Sequence, residues 1–173
     1  MILLICGSLR GGSVNAAVIN TAAHFTDAKV YAGLADLPHF NPDDDHEPLP
    51  PAVAALRSEI AAADGVLICT PEYAGGLPGS FKNLLDWTVG GGEIYGKPVS
   101  WINASSVAAP TGGADAHDSL RKVLTYAGAR IVDDACARIP IPRHAVTDAA
   151  ITDPDLRGRI AVALRRLVEA AKA

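Results

Sequence analysis

The amino-acid sequence predicts an α/β fold, a doubly wound three-layer sandwich on a five-stranded parallel sheet. Three observations predict it. Short apolar runs that end in turn residues alternate along the chain with stretches of helical periodicity. Two of those runs, Met1 to Cys6 and Gly65 to Thr70, are almost unbroken, which is the pattern of strands covered on both faces. Aromatic residues are only 5% of the chain against a hydrophobic share of 49%, so aliphatic side chains fill the core, as they do where helices lie on a sheet.

Taken in order, Met1 to Cys6 reads as a central strand and Val14, Val18, Ala22 and Phe25 as a helix behind it. Lys29-Val30-Tyr31 is a weaker strand, and Pro50-Pro51 opens a second helix carrying Val53, Leu56, Ile60 and Ala63. After the strand Gly65 to Thr70, Pro78 opens a helix with Phe81, Leu84, Leu85 and Thr88 on one face, and Pro98 to Asn103 forms the fourth strand. Leu120, Val123, Leu124 and Ala127 mark another helix, and Ala129 to Val132 a fifth strand. The last helix carries the cleanest signals, with Asp153 as N-cap, Pro154 at its first position and an apolar stripe from Leu156 to Ala171.

A length of 173 residues fits one domain, residues 1–173, and a charged fraction of 20% is too low for intrinsic disorder. The net charge is −4 and the basic residues are scattered, so the electrostatic footprint of a nucleic-acid binder is missing. The apolar start lacks a positive region and stops at Gly7, too short for a signal peptide or membrane span, so no membrane partner is expected. Cys6, Cys69 and Cys136 are an odd count with no C-x-x-C pair, which fits a reduced, cytoplasmic protein. Leu37 to Pro51, with the acidic run Asp43 to Glu47, reads as a solvated loop, because consecutive side chains diverge too much to enclose a metal.

In an open parallel sheet, ligands bind outside the carboxyl ends of the strands. The loop after the first strand, Gly7-Ser8-Leu9-Arg10-Gly11-Gly12-Ser13-Val14-Asn15, runs straight into a helix. Its glycines can aim N–H groups inward, the helix start favours an anion, and Arg10 adds a fixed charge with fork geometry. That inventory suits a phosphate dianion, the alternative being an ordinary tight turn with Ser13 as N-cap. A Walker A loop is excluded because Ser13 and Val14 stand where Lys and Ser or Thr are needed. The dinucleotide fingerprint is excluded because Ser8-Leu9-Arg10 separates the glycines and no acidic residue closes the second strand. The loop after the third strand, Thr70 to Pro78, offers Tyr73 and Ala74-Gly75-Gly76 to a flat polar heterocycle, Tyr73 being equally readable as a packed loop aromatic.

These residues together resemble the NADPH-dependent FMN reductase family, flavodoxin-like proteins that include quinone, chromate and azo-compound reductases. The motifs that carry the resemblance are Gly7 to Asn15 and Pro71-Glu72-Tyr73-Ala74-Gly75-Gly76-Leu77-Pro78-Gly79-Ser80-Phe81-Lys82-Asn83-Leu84-Leu85-Asp86-Trp87, with Gly96 to Val99 and Gly112 to Ala114 in support. The resemblance implies that Ser8, Arg10, Ser13 and Asn15, with Val14 among them, hold the FMN phosphate. It implies that Pro71, Glu72, Tyr73, Ala74 and Gly75 line the ribityl chain and the ring edge, and that Ser105 and Ser106 approach the ring from the next loop. Two departures stand out: Ala74 replaces a usual Asn, and Val107 to Pro110 replaces a usual glycine.

The implied activity is a two-electron transfer from NADPH or NADH through bound FMN to a small-molecule electron acceptor, in a ping-pong cycle. No catalytic side chain is expected, since the cofactor carries the chemistry, and no metal. His117 and His144 read as exposed side chains. The resemblance also implies a homodimer or homotetramer, with Phe81 and Trp87 facing the partner subunit. A flavodoxin-like electron carrier and a non-catalytic flavin-binding module remain as alternatives.

Overall fold

Side chains alternate between the two faces of a strand, and β1 (Ile2–Cys6) is apolar at every position, so it requires a cover on each side. The computed structural model, which describes residues 1–173, supplies both covers. Leu3 and Ile5 point into a core formed with α2 (Pro51–Ala62), α3 (Gly79–Trp87) and α4 (Ala114–Tyr126), while Ile2 and Leu4 point into a second core under α1 (Val14–Ala22) and α5 (Pro154–Lys172). The strands β2 (Ala28–Val30), β1, β3 (Gly65–Cys69), β4 (Pro98–Asn103) and β5 (Arg130–Ile131) pair in parallel in the order 2-1-3-4-5, the flavodoxin-like doubly wound order. β3 and β4 are buried throughout and edge strand β2 is half exposed, as their sequences demand. Asp153 caps α5, its Oδ1 accepting from Leu156 N at 2.9 Å. No helix is long and apolar enough to cross a membrane.

The fifth strand departs from the sequence reading. Pro98 pairs with Arg130 but Ile102 pairs with Ala137, so three extra residues are looped out as the 3-10 turn Asp133–Ala135, and the strand resumes as β6 (Ala137–Arg138). Beyond it, β7 (Val146–Thr147) and β8 (Ala150–Ile151) form a small antiparallel hairpin with no counterpart in the sequence reading. Its anchor is Thr21 of α1, whose Oγ1 accepts from Ile151 N at 2.8 Å.

One further expectation is incomplete and another needs correction. The segment from Leu37 to Pro51 is a strap held against α3: Pro38 O accepts from Trp87 Nε1 at 2.9 Å and from Asn83 Nδ2 at 2.8 Å. Phe40 meets the Trp87 ring edge-on at 5.0 Å, and Asp45 pairs with Arg57 at 2.6 Å. Within the acidic run Asp43 to Glu47, every residue but Asp45 is exposed, as the sequence reading expects. Phe81 and Trp87 are fully buried inside their own subunit, so they offer nothing to a partner.

Candidate active site

At the carboxyl end of the sheet the loops after β1, β3, β4 and β6 enclose a cleft of about 480 Å³, a volume suited to a cofactor. Ten of the twelve residues expected to bind a cofactor line it: Ser8, Arg10, Ser13, Val14, Asn15, Pro71, Glu72, Tyr73, Ser105 and Ser106. Ala74 and Gly75 do not; they form the tip of the β3 loop, outside the wall. A groove of similar volume between α5 and β6 lies away from these loops.

The first loop is shaped by closeness. A Cβ on Gly7 would overlap the side chain of buried Thr70 and reach 3.0 Å from the Phe81 ring, so only glycine lets the ends of β1 and β3 lie side by side. Ser13 then caps α1, its Oγ accepting from Asn15 N at 3.1 Å. The N–H groups of Gly11, Gly12 and Val14 donate to no protein acceptor, which leaves them to a ligand. Below them Cys69 donates its thiol proton to Asn15 Oδ1 at 3.2 Å, and burial pushes that thiol's pKa well up, so it stays protonated. The Asn15 amide is thereby turned with its NH₂ free. Arg10 is exposed and has no carboxylate partner.

The β4 loop is stapled at both ends by Asn103, which closes β4. Its Nδ2 donates to Gly112 O at 2.9 Å and its Oδ1 accepts from Ser105 N at 3.0 Å. Gly113 has φ +80°, and a Cβ there would overlap Ser105 Oγ and lie 2.8 Å from Asn103 Oδ1. Glu72 belongs to this frame: its Oε1 accepts from Thr111 Oγ1 at 2.5 Å and its Oε2 from Ala116 N at 3.1 Å. Both carboxylate oxygens therefore tie the β3 loop to the start of α4. The Thr111 hydroxyl, above all, holds the Glu72 carboxyl below its usual range. His117, expected on the surface, is buried with its Nδ1–H donating to Gly113 O at 2.6 Å, and burial lowers its pKa so that it stays neutral.

The cleft also holds residues that sequence reasoning missed, Ile141 and Arg143 among them. The signal was available, because the rule that ligands lie outside strand ends applies to the fifth strand as well, whose continuation is Ile139-Pro140-Ile141-Pro142-Arg143.

Comparison with known proteins agrees with this geometry. The family model described as NADPH-dependent FMN reductase matches residues 1–140. The chain belongs to the NADPH-dependent FMN reductase family. A quinone reductase of Escherichia coli K12 is 35% identical over 139 residues, covering 76% of this chain and 73% of that protein. An NAD(P)H-dependent FMN reductase of Pseudomonas aeruginosa is 37% identical over 130 residues, covering 72% and 69%. The flavoenzyme NAD(P)H:acceptor oxidoreductase FerB of Paracoccus denitrificans superposes with a TM-score of 0.80 at 27% identity, covering 97% of each chain. Membership makes this FMN reductase family protein an oxidoreductase that uses FMN and NAD(P)H, and decides against the electron carrier.

The residues present fit that cofactor: unpaired loop N–H groups, a helix start and a free guanidinium stand at one end of the cleft, as a phosphate dianion requires. The departure at Ala74 acquires a physical meaning within the family. Tyr73 N and Gly76 O, and Gly76 N and Tyr73 O, are bonded at 3.0 and 3.1 Å around Ala74 (φ +50°) and Gly75 (φ +71°). Two positive φ angles in a two-residue turn are the type I′ geometry that favours Asn-Gly. Ala74 pays in strain for a conformation that Asn tolerates. Ala74→Asn is expected to stabilise the fold by about 1 kcal/mol, raising Tm by roughly 2–4 °C in a thermal melt. An unchanged or lower Tm would contradict the strain argument. The second departure is accommodated: Val107 points to solvent, while Ala109 and Pro110 form part of the wall.

Proposed function

We propose that this domain, residues 1–173, binds one FMN non-covalently, with its phosphate in the Ser8 to Asn15 loop, and runs a ping-pong cycle. NADPH or NADH is the donor, and a quinone, free flavin, azo compound or metal oxyanion the acceptor. The observation that carries this reading is the set of unpaired donors around Arg10 in an open cleft whose β4-loop side is lined by the small side chains of Ala104, Ser105, Ser106 and Ala109. When bound, FMN takes two electrons from the nicotinamide and returns them to the acceptor.

The chain's own residues hold and expose the cofactor. Arg10, Ser8, Ser13 and the free N–H groups grip the phosphate, and the Asn15 amide donates from below. Asn103, Glu72 and His117 fix the loops that face the ring. Ala104, Ser105 and Ala109 keep that side of the cleft low, and Tyr73, 55% exposed, flanks it without closing it. Donor and acceptor can then use the same opening in turn, which is what a ping-pong order requires. The E. coli relative's name, quinone reductase, supports a quinone as acceptor.

The three free thiols fit a reducing, cytoplasmic setting. A homodimer or homotetramer remains part of the proposal on the strength of the family resemblance, with Phe81 and Trp87 taking no part in it.

The purified protein is expected to carry a flavin absorbance that bleaches on anaerobic addition of NADPH or NADH and returns when a quinone is added. Light scattering is expected to give a multiple of 17.9 kDa. A flavin spectrum unmoved by either nucleotide would overturn the enzymatic reading, and a mass of one chain would overturn the oligomer.

A further inference from the structure

The chain has ten arginines. Seven of them, Arg57, Arg121 and Arg130 among them, reach a carbonyl or carboxylate oxygen of the protein. The three that do not are Arg10, Arg138 and Arg143, and all lie at the carboxyl end of the sheet: Arg10 and Arg143 line the cleft, and Arg138 packs on Gly112 of the β4 loop. The cleft's one acidic side chain, Glu72, already has both oxygens engaged. An unpaired guanidinium in a cleft whose acid is satisfied presents its fork to a ligand oxyanion.

The backbone under Arg143 is fixed from both sides. Ile139 N donates to Asn103 O at 2.8 Å and Ile141 N to Ala104 O at 3.3 Å, which continues the sheet past the end of β4. Pro142 then leads into the 3-10 turn Arg143–Ala145, and the β7–β8 hairpin that follows is pinned to α1, where Ala149 O accepts from Asn20 Nδ2 at 3.1 Å. The segment thus crosses from β4 to the helix that carries the phosphate loop, with Arg143 partway along. Arg143 also stands outside residues 1–140, the part of the chain that the family model matches.

We propose that Arg143 is a second phosphate-binding residue of the cleft, reaching it from the segment after β6 and taking a phosphomonoester dianion. This rests on the FMN reading of the same cleft. Two sources offer that chemistry, the 5′-phosphate of FMN and the 2′-phosphate of NADPH, and each has its own arm in the test.

In the first arm, apoprotein is titrated with FMN and with riboflavin, following flavin fluorescence, for wild type, Arg143→Ala and Arg143→Lys. In the second, calorimetry compares NADP⁺ with NAD⁺ on the FMN-loaded proteins. If Arg143 holds the flavin phosphate, Arg143→Ala weakens FMN about tenfold or more and leaves riboflavin unchanged, with partial rescue by Lys. If it holds the nucleotide phosphate, the same loss falls on NADP⁺ and spares NAD⁺. Circular dichroism of the variants separates either result from misfolding. Losses that are equal for each phosphorylated ligand and its counterpart, or no loss in either arm, would overturn the assignment of Arg143. A wild type that does not prefer FMN to riboflavin would instead overturn the phosphate-loop reading beneath it.

Discussion

Arg57→Ala is expected to lower the unfolding free energy by about 3 kcal/mol, the usual cost of orphaning one partner of a buried ion pair. For a chain of this size that corresponds to roughly 6–12 °C in Tm. Arg57 sits on the inner face of α2, and its side chain is 10% exposed against 13% for Asp45. It joins three separate parts of the chain. Nη2 donates to Asp45 Oδ1 in the strap at 2.6 Å, Nε donates to Trp87 O at the end of α3 at 2.9 Å, and Nε lies 3.9 Å from Glu93 Oε2. Truncation leaves the Asp45 and Glu93 carboxylates without their cation and the Trp87 carbonyl without its donor. Removing the charges together, as in Arg57→Met with Asp45→Asn, leaves fewer orphans and is expected to recover part of the loss. Urea titration of the FMN-loaded protein measures both variants. FMN affinity should stay unchanged, since neither the strap nor Arg57 lines the cleft. A loss below about 1 kcal/mol would mean that water reaches the pair and that the strap is held by Phe40 and Pro38 alone.

The elements that were legible in the sequence are those whose signal is local. The apolar runs of β1, β3 and β4 needed no partner to be read, and Pro78 and Asp153-Pro154 announced α3 and α5 within a few residues. The loop proposed to take the phosphate was legible for the same reason: its glycines, serines and Arg10 follow one another along nine residues of chain. What failed depended on residues far away. The strap looked like a polar loop because Trp87 Nε1 and Arg57, which hold it, lie 49 and 12 residues further on. Phe81 and Trp87 looked available to a partner because nothing local says that the strap and Thr70 cover them. Glu72 sits inside the motif that carries the family resemblance, yet its carboxylate serves the start of α4, across a loop whose path only the fold determines. His117 lies in a polar stretch and is buried because it takes the Gly113 carbonyl. The motifs brought ten of the twelve expected residues to one cleft, and among these Glu72 commits its carboxylate to the frame.

Arg10→Ala is expected to weaken FMN binding about ten- to a hundredfold, the equivalent of losing a charge-assisted interaction worth roughly 1.5–3 kcal/mol. The selectivity of that loss matters more than its size. Arg10 is exposed and pairs with no carboxylate, and its own N–H donates to Ser8 Oγ at 3.3 Å, so removing the side chain disturbs no protein contact that the loop depends on. The loop keeps its shape through Gly7, through the Ser13 cap and through the thiol of Cys69 on Asn15. The cost should therefore fall on the phosphate alone. Riboflavin, which has no phosphate, should bind the variant as it binds the wild type. Because the interaction is charge-assisted at an exposed site, the gap between FMN and riboflavin should also narrow as salt is raised. Fluorescence titrations of apoprotein with both flavins at low and high ionic strength measure all three effects. Equal losses for the two flavins would mean that Arg10 shapes the loop and does not contact the phosphate, leaving the free N–H groups of Gly11, Gly12 and Val14 to hold the dianion by themselves.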